Sequence, residues 1–148
     1  MKQKDLRKGR HSQPGQIYCL TFTVSKREPL LSFETAPILA RLLYKNAIVK
    51  DHTLLCWVIM PDHVHLLIQL GHKESLSTFV ANLKGQSSRQ INQALQRSGP
   101  FWQDGFYDHA LRSEDDCKAF ARYIVANPIR AGLVTSVRNY AFWHSAWL

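Results

Sequence analysis

Two apolar segments separated by only two residues impose the strongest constraint on how this chain can fold. Residues 53–60 and 63–70 are both rich in strand-forming residues, and Pro61 and Asp62 between them are typical of a tight turn. The pattern predicts two antiparallel strands joined as a hairpin. The segments on either side of this hairpin decide what joins it in a sheet.

Those flanking segments predict two further strands and three helices. Residues 16–25 alternate as a strand does, and the C-terminal strand is interrupted near Gly105. The last helix begins after Ser113, a favourable N-terminal cap. In chain order the elements span residues 16–25 (strand), 33–49 (helix), 53–60 and 63–70 (strands), 75–96 (helix), 101–112 (strand) and 114–127 (helix). The order predicts an α+β fold with a ferredoxin-like antiparallel sheet, β-α-β-β-α-β, followed by a C-terminal helix.

Length and charge indicate one basic domain. The 148 residues contain no repeat, linker or low-complexity segment, so we expect a single domain over residues 1–148. Residues 1–15 are polar and basic and are predicted to form an N-terminal arm. Lys and Arg number 19 against 11 Asp and Glu, which gives a net charge of +8. Such a charge suits a phosphate polymer as partner, although basic proteins without one also exist.

Cysteine usage and hydropathy indicate a cytoplasmic protein. The three cysteines are widely spaced and form no Cys-x-x-Cys pair, which argues against a disulfide framework or a cysteine zinc site. Cys19 and Cys56 lie in apolar, strand-like segments and are predicted to be core residues. The N-terminus lacks an apolar signal region, and the longest apolar segment is too short to span a bilayer.

The second strand of the predicted hairpin carries His63 and His65 at alternate positions. Strand side chains alternate between faces, so both imidazoles share one face while Val64 points to the other. Their Cβ atoms then lie about 7 Å apart, close enough for both rings to converge on one cation. Such pairs also occur on solvated strands without a ligand, and a catalytic site needs a third ligand and open positions.

The last predicted helix carries Tyr123 and Asn127, four residues apart and therefore on one helical face. From there the amide oxygen of Asn127 can bind a metal ion while the phenol of Tyr123 attacks phosphorus, forming a 5′-phosphotyrosine and a 3′-hydroxyl. A phenol is largely protonated at neutral pH and needs help from a metal or a base. Two alternatives stay open: Tyr123 as a core aromatic, and Asn127 before Pro128 as a helix-ending signal.

Taken together and in order, these segments resemble the single-tyrosine HUH transposases of insertion sequences, and most closely their REP-associated branch. The matching segments are MPDHVH at residues 60–65, KGQSSR at 84–89, FWQ at 101–103, DHALR at 108–112 and YIVANPIRAGLV at 123–134. The resemblance extends over most of the chain from residue 16 to residue 147. The histidine pair followed at this distance by the tyrosine and asparagine is its most specific part.

The resemblance implies a metal-dependent transposase that cleaves and rejoins single-stranded DNA next to hairpins. Matched by motif, Tyr123 is the nucleophile, His63 and His65 are metal ligands and Asn127 is the third ligand. The metal is expected to be Mg²⁺ or Mn²⁺, since oxygen ligands suit the first and imidazole suits the second. The expected partner is a REP-like palindromic hairpin, bound by a monomer or a homodimer without any membrane.

Positively charged side chains are expected to hold the DNA. The N-terminal arm is expected to order on a short single-stranded sequence beside the hairpin, as in the REP-associated branch. Side chains on the second helix and after the fourth strand would hold the hairpin backbone, with Arg122 and Arg130 as weaker candidates. The predicted DNA-binding residues are Arg7, Lys8, Arg10, Lys84, Arg89 and Arg112.

Two other functions remain open on sequence grounds. One is a ferredoxin-like module that binds nucleic acid without chemistry, which the histidines on the sheet face disfavour. The other is a metal-dependent phosphoesterase that uses water as nucleophile, with Tyr123 only structural. Only the transposase would form a covalent protein–DNA adduct, so detection of that adduct would distinguish it from both alternatives. A domesticated transposase that no longer moves its own gene would behave the same in such an assay.

Overall fold

The computed structural model describes residues 12–147, which form an antiparallel sheet with helices on both faces. Its strands are β1 (Ile17–Thr23), β2 (Thr53–Ile59), β3 (His63–Gln69), β4 (Tyr107–Leu111) and β5 (Trp143–Ser145). Its helices are α1 (Ala36–Val49), α2 (Leu76–Ala94), α3 (Glu114–Val125) and α4 (Asn127–Arg130), with 3-10 turns at Ser25–Arg27 and Val137–Asn139. The strand order is β4-β1-β3-β2-β5. The predicted α+β class with a ferredoxin-like antiparallel sheet is confirmed.

Side-chain alternation on β3 separates two apolar cores, one on each face of the sheet. Val64, Leu66 and Ile68 are fully buried in the larger core, together with side chains of α1 and α2. Leu67 points to the other face and packs in a smaller core with α3, where Cys19, Cys56 and Cys117 replace larger apolar residues. His63 and His65 continue the row of Leu67 and therefore belong to the α3 face.

The fourth strand is shorter than its sequence predicts, because residues 101–106 turn their aromatic side chains into the larger core. Trp102 makes one isolated bridge with Val24, its ring meets Phe22 edge-on at 5.6 Å, and its indole N–H donates to Ser87 at 2.9 Å. Gly105 then adopts a left-handed φ of 71°, which turns the chain before β4 begins. Trp102 is thus a buried core residue, and the predicted strand over residues 101–106 is wrong.

Helix α1 begins at Ala36, three residues later than predicted. The hydroxyl of Thr35 accepts a hydrogen bond from the backbone N–H of Ser32 at 2.9 Å and donates to the carbonyl of Leu30 at 2.7 Å. These bonds stabilise a turn before the helix, and Pro37 in the first helical turn suits a helix start. Phe33 therefore lies outside the helix and is exposed.

The aromatic C-terminal segment supplies a strand that its sequence pattern does not predict. β5 pairs antiparallel with β2, with Val58 opposite Trp143 and Cys56 opposite Ser145. The phenol of Tyr140 donates to the carbonyl of Ile59 at 2.6 Å and anchors the segment that leads into β5. Three residues are too few to give a periodic signal in the sequence. Their backbone nevertheless pairs with much of the outer edge of β2.

The predicted core positions of Cys19 and Cys56 are confirmed, since both thiols are free and buried. Burial raises the pKa of Cys19 to about 11 and that of Cys56 to about 12. Both cysteines are therefore thiols at neutral pH. No helix within residues 12–147 has the length and apolar character needed to cross a lipid bilayer.

Candidate active site

The imidazoles of His63 and His65 lie side by side at the start of β3, immediately after the hairpin turn. Their ring centroids are 4.7 Å apart and their planes cross at 78°. Both rings are partly buried, because the sheet lies beneath them and only part of the α3 face is covered. Two aromatic nitrogen donors thus share one recess on the sheet, as the alternation of side chains predicts.

Each ring is oriented through its Nδ1 atom by a different partner. His65 Nδ1 shares a hydrogen bond with the hydroxyl of Thr21 on β1, at 2.8 Å. His63 Nδ1 lies 2.7 Å from the carboxylate of Asp62, which also accepts a hydrogen bond from the Arg27 guanidinium at 3.1 Å. These contacts engage Nδ1 and leave Nε2 as the nitrogen of each ring that could bind a metal ion. Histidine ligands are commonly oriented in this way by a second partner.

Burial, together with nearby positive charges, keeps His65 neutral at neutral pH. Burial lowers the pKa of His65 to about 4, and the positive groups of His63, Arg130 and Arg27 add to this effect. Burial alone would raise the pKa of Asp62, but hydrogen bonds and charges from His63 and Arg27 outweigh it and hold that pKa below its usual value. A neutral imidazole is the form that binds a metal ion, so His65 is ready to do so at neutral pH.

Tyr123 lies on the outer side of α3, with 56% of its surface exposed. The buried face of α3 is formed instead by Cys117, Ala121 and Ile124. The guanidinium of Arg130 covers the Tyr123 ring, with Cζ 3.7 Å from the ring centroid. The alternative that Tyr123 is a core aromatic is therefore wrong, and its phenol is accessible to a substrate.

Asn127 does not lie on the same helix as Tyr123, contrary to prediction. Helix α3 ends at Val125, and Asn127 is the first residue of the short helix α4, because Pro128 cannot continue the hydrogen bonding of α3. The side-chain amide nitrogen of Asn127 is buried without a hydrogen-bond partner among the described residues. A buried donor left in this state costs about 1–3 kcal/mol, so a water molecule or a ligand group that accepts its hydrogen bond would stabilise it.

These donors fit a divalent metal ion. Nowhere in residues 12–147 do three or more His, Cys, Asp or Glu side chains cluster as a metal site. A third protein ligand beside the histidines would have to be of another type, such as the amide oxygen of Asn127; the unpartnered atom of Asn127 is its amide nitrogen, which donates hydrogen bonds and does not bind a metal ion. Arg130 stacks on Tyr123 and is also close enough to His65 to lower its pKa. Helix α3, which carries Tyr123, packs against the face of β3 on which the histidine pair lies.

The predicted DNA-binding residues have different surroundings. The Nζ of Lys84 donates to the carbonyls of Gln103 and Gly105, and burial lowers its pKa to about 8 against the opposing charge of Asp104. Lys84 thus holds the loop before β4. Arg89 on α2 and Arg112 after β4 are exposed. Arg7, Lys8 and Arg10 lie outside the described residues.

An aromatic surface borders the site, and the sequence pattern does not indicate it. Tyr107 on β4 pairs with Thr21, the partner of His65, so it shares their face of the sheet and is 45% exposed. Further along β4, the ring of His109 lies 5.9 Å from that of Phe120 on α3. A shallow depression of about 300 Å³ between Phe120 and Tyr123 adjoins them.

Sequence reasoning also missed the residues that orient the histidines. Asp62 precedes His63 and stood in the predicted turn, which was a usable signal. Thr21 lies 44 residues from its partner His65, and only the register between β1 and β3 brings them together. Arg130 was considered solely as a DNA contact.

Comparison with known proteins places this geometry in a family. Residues 12–127 match the model of a family described as IS200-like transposases. A protein of Haemophilus influenzae, described as a candidate REP-associated tyrosine transposase, is 32% identical over 94 residues, or 57% of this chain and 53% of that protein. The REP-associated tyrosine transposase of Escherichia coli is 29% identical over 86 residues, or 58% and 50% respectively. The chain spans about half the length of these curated relatives.

A solved structure gives the same result at the level of the fold. It shows a REP-associated tyrosine transposase bound to a REP hairpin, and it superposes with a TM-score of 0.76 at 25% sequence identity. The match covers 90% of this chain and 79% of the other. Since the family model extends over most of the sequence and a solved relative shares the fold, this chain belongs to the IS200-like transposase family.

Proposed function

We propose that this chain is a metal-dependent transposase that cleaves and rejoins single-stranded DNA next to hairpins in the cytoplasm. Tyr123 is the nucleophile, and His63, His65 and Asn127 hold a divalent metal ion. The observation that carries the proposal is an exposed tyrosine, covered by a guanidinium, on the helix that packs against the same sheet face as two histidines oriented through Nδ1. A hairpin partner is supported by the relative whose structure was solved with a REP hairpin.

In the proposed reaction, the phenol oxygen of Tyr123 attacks phosphorus while the bond from phosphorus to the 3′-oxygen breaks. The phenol proton leaves, the 3′-oxygen takes up a proton, and the 5′-phosphate becomes attached to the tyrosine. The bond energy is conserved in the phosphotyrosine, so a 3′-hydroxyl can reverse the step and join a strand. The protein positions the phenol and supplies positive charge near the phosphate through Arg130 and Arg27.

A divalent ion would neutralise the phosphate oxygens and support the leaving 3′-oxygen. Two imidazoles and an amide favour Mn²⁺ over Mg²⁺, because Mg²⁺ prefers a shell of oxygen atoms. Thr21 and Asp62 hold the rings so that both Nε2 atoms can serve one ion. We therefore expect Mn²⁺ to bind more tightly, with Mg²⁺ also supporting cleavage.

The aromatic surface beside Tyr123 gives the single strand a path across the site. Exposed rings stack bases with little regard to sequence, which suits strands on both sides of a cleavage point. Tyr107 and the pair of His109 and Phe120 are placed for this role. Exposed Arg89 and Arg112 can contact phosphates.

The decisive experiment tests for a covalent adduct with DNA. The protein is mixed with labelled single-stranded DNA that contains hairpins from the neighbourhood of its own gene, with Mn²⁺ or Mg²⁺ present, and analysed under denaturing conditions. We expect an adduct that Tyr123→Phe and a chelator both abolish. Tyr107→Phe is the matched control, because it removes another exposed phenol hydroxyl and keeps the stacking ring.

Other outcomes would support the competing functions. Cleavage that persists in Tyr123→Phe without any adduct would make water the nucleophile and the protein a phosphoesterase. Tight binding without cleavage, on a library of hairpins and with either metal, would indicate a module that binds nucleic acid without chemistry.

A further inference from the structure

The short helix α4 returns the chain sharply toward the end of α3. It has four residues, with Pro128 in its first turn, and it ends at Arg130, two residues before Gly132, whose φ is 74°. The N–H of Leu133 donates to the carbonyl of Pro128 at 2.9 Å, and that of Gly132 donates to Ile129 at 3.0 Å. This is the pattern of a Schellman turn, which fixes the direction of the segment.

This turn brings the side chain of Arg130 onto Tyr123 in two ways. Its guanidinium carbon lies 3.7 Å from the centre of the phenol ring, within the range of a close cation–π contact. Its Nη1 donates at 2.8 Å to the backbone carbonyl of the same tyrosine, near the C-terminus of α3. A positive group is favourable at this end of a helix. Ring and backbone of one residue are therefore held by one planar group.

An exposed tyrosine would otherwise be free to change rotamer. No other ring or cation stacks on the Tyr123 ring within residues 12–147. Helix α3 packs on the face of the sheet that carries the histidine pair, so the ring is held on that side of the sheet.

We propose that Arg130 is a positioning residue that holds the Tyr123 ring in the orientation required for attack on phosphorus. The inference rests on the proposed function, because it assumes that Tyr123 is the nucleophile. The planar guanidinium is essential to it, since stacking and the carbonyl hydrogen bond must be made together. A lysine keeps the charge but cannot reproduce both contacts.

The first test compares Arg130→Lys and Arg130→Ala with the wild type in single-turnover adduct formation at saturating DNA and Mn²⁺. Misplacing a nucleophile slows the reaction, so both variants should form adduct about 10- to 100-fold more slowly, with DNA affinity changed less than about threefold. Arg41→Ala is the control, since Arg41 is an exposed arginine on α1, on the opposite face of the sheet from Tyr123. It should react at about the wild-type rate. Wild-type rates in Arg130→Lys would reduce the role of Arg130 to its charge and overturn the proposal.

The second test does not depend on catalysis or metal. The protein is labelled with 3-fluorotyrosine, and the signal of Tyr123 is assigned by its loss in Tyr123→Phe. In metal-free protein, the ¹⁹F resonance should move toward the value of free fluorotyrosine in both Arg130 variants and stay in place in Arg41→Ala. An unchanged resonance would overturn the proposal. If the wild type forms no adduct but the resonance shifts, the positioning contact stands and the proposed function fails.

Discussion

At the scale of single residues, each histidine of the pair is oriented by a partner that hydrogen-bonds its Nδ1 atom. Thr21 serves His65 across a strand pair, and Asp62 serves His63 from the neighbouring position in the turn. The two arrangements differ in charge, because a hydroxyl is neutral and Asp62 is an anion paired with Arg27. The rings are therefore oriented independently, and each can be perturbed separately.

Replacing Thr21 with valine should weaken metal binding without disturbing the fold. Valine matches the shape of threonine but cannot hydrogen-bond Nδ1 of His65, so the ring loses its fixed orientation. Removal of such a partner commonly weakens metal affinity about 10- to 100-fold. Titration with Mn²⁺ by calorimetry measures the change, and Thr53→Val, at an exposed strand position, should leave affinity unaltered. Equal affinity in Thr21→Val would mean that this hydrogen bond does not support the site.

The stability of the metal-free protein should fall in acid because of His65. Its pKa is about 4 in the folded protein and 6.5 as an unperturbed group, so between these values the unfolded chain binds a proton that the folded protein does not. Stability is therefore complete above pH 6.5 and decreases as the pH falls toward 4, by on the order of 3 kcal/mol. Urea unfolding with chelator at pH 7 and pH 4.5 measures this decrease.

His65→Gln should remove that part of the pH dependence, and His144→Gln, at an exposed position on β5, should retain it. The same slope in His65→Gln as in the wild type would place the responsible proton on another group.

At the scale of secondary-structure elements, the histidine face could be predicted from sequence and the tyrosine segment only partly. Alternation on β3 assigns His63 and His65 to one face because strand periodicity is local. The break between α3 and α4 was missed because the apolar pattern continues past Val125, whereas Pro128 ends the helix through its missing N–H. β5 was missed because three residues carry no period.

Contacts between elements were beyond the reach of a sequence pattern. The pairing of Thr21 with His65 depends on the register of β1 against β3, which the hydrophobic pattern of either strand alone does not specify. The stacking of Arg130 on Tyr123 depends on the turn at Gly132, whose geometry appears only once the helix boundary is known. Residue identities thus pointed to the chemistry, and the partners required the fold.

The turn at Gly132 should be sensitive to substitution for a backbone reason alone. A Cβ at this position would meet nothing within 4 Å, but the φ of 74° is unfavourable for any residue except glycine. Gly132→Ala should therefore lower the free energy of unfolding by about 1–2 kcal/mol. Gly85→Ala is the matched control, because Gly85 lies in α2 with equally open space, and alanine there should add about 0.5–1 kcal/mol.

Urea denaturation of both variants provides the measurement. If Gly132→Ala is as stable as the wild type, the turn accommodates alanine without strain. That variant would then also be expected to retain the contact of Arg130 with Tyr123.

At the scale of the whole molecule, the larger apolar core and the candidate active site lie on opposite faces of the sheet. The larger core with α1 and α2 buries most of the large apolar side chains on one face. The other face carries the smaller core, α3 and the candidate active site. The net charge of +8 belongs to the whole chain, and part of it lies in the arm before residue 12. Monomer or homodimer stays a prediction.

The basic arm should contribute to DNA binding through counterion release. Replacing Arg7, Lys8 and Arg10 with glutamine should weaken binding of single-stranded DNA and reduce its salt dependence. The slope of log affinity against log salt should become shallower by about 0.7 for each phosphate that the arm no longer neutralises. Fluorescence anisotropy at several salt concentrations measures this slope. Replacing Lys26, Lys45 and Lys50 with glutamine is the control, because it makes the same change in charge. If this control weakens DNA binding and lowers the salt slope equally, the contribution of the arm is one of net charge only.

The division of the site between sheet and helix has a consequence for control of the reaction. His63 and His65 are fixed to strands, whereas Tyr123, Asn127 and Arg130 occupy eight consecutive residues that are locked to one another by a local turn. Under the proposed function, a shift of this segment relative to β3 would carry the phenol and the guanidinium together, because Arg130 holds both the ring and the backbone carbonyl of Tyr123. The rate of attack would then depend on the distance between the segment and the histidines, and a DNA strand bound between them would alter that distance.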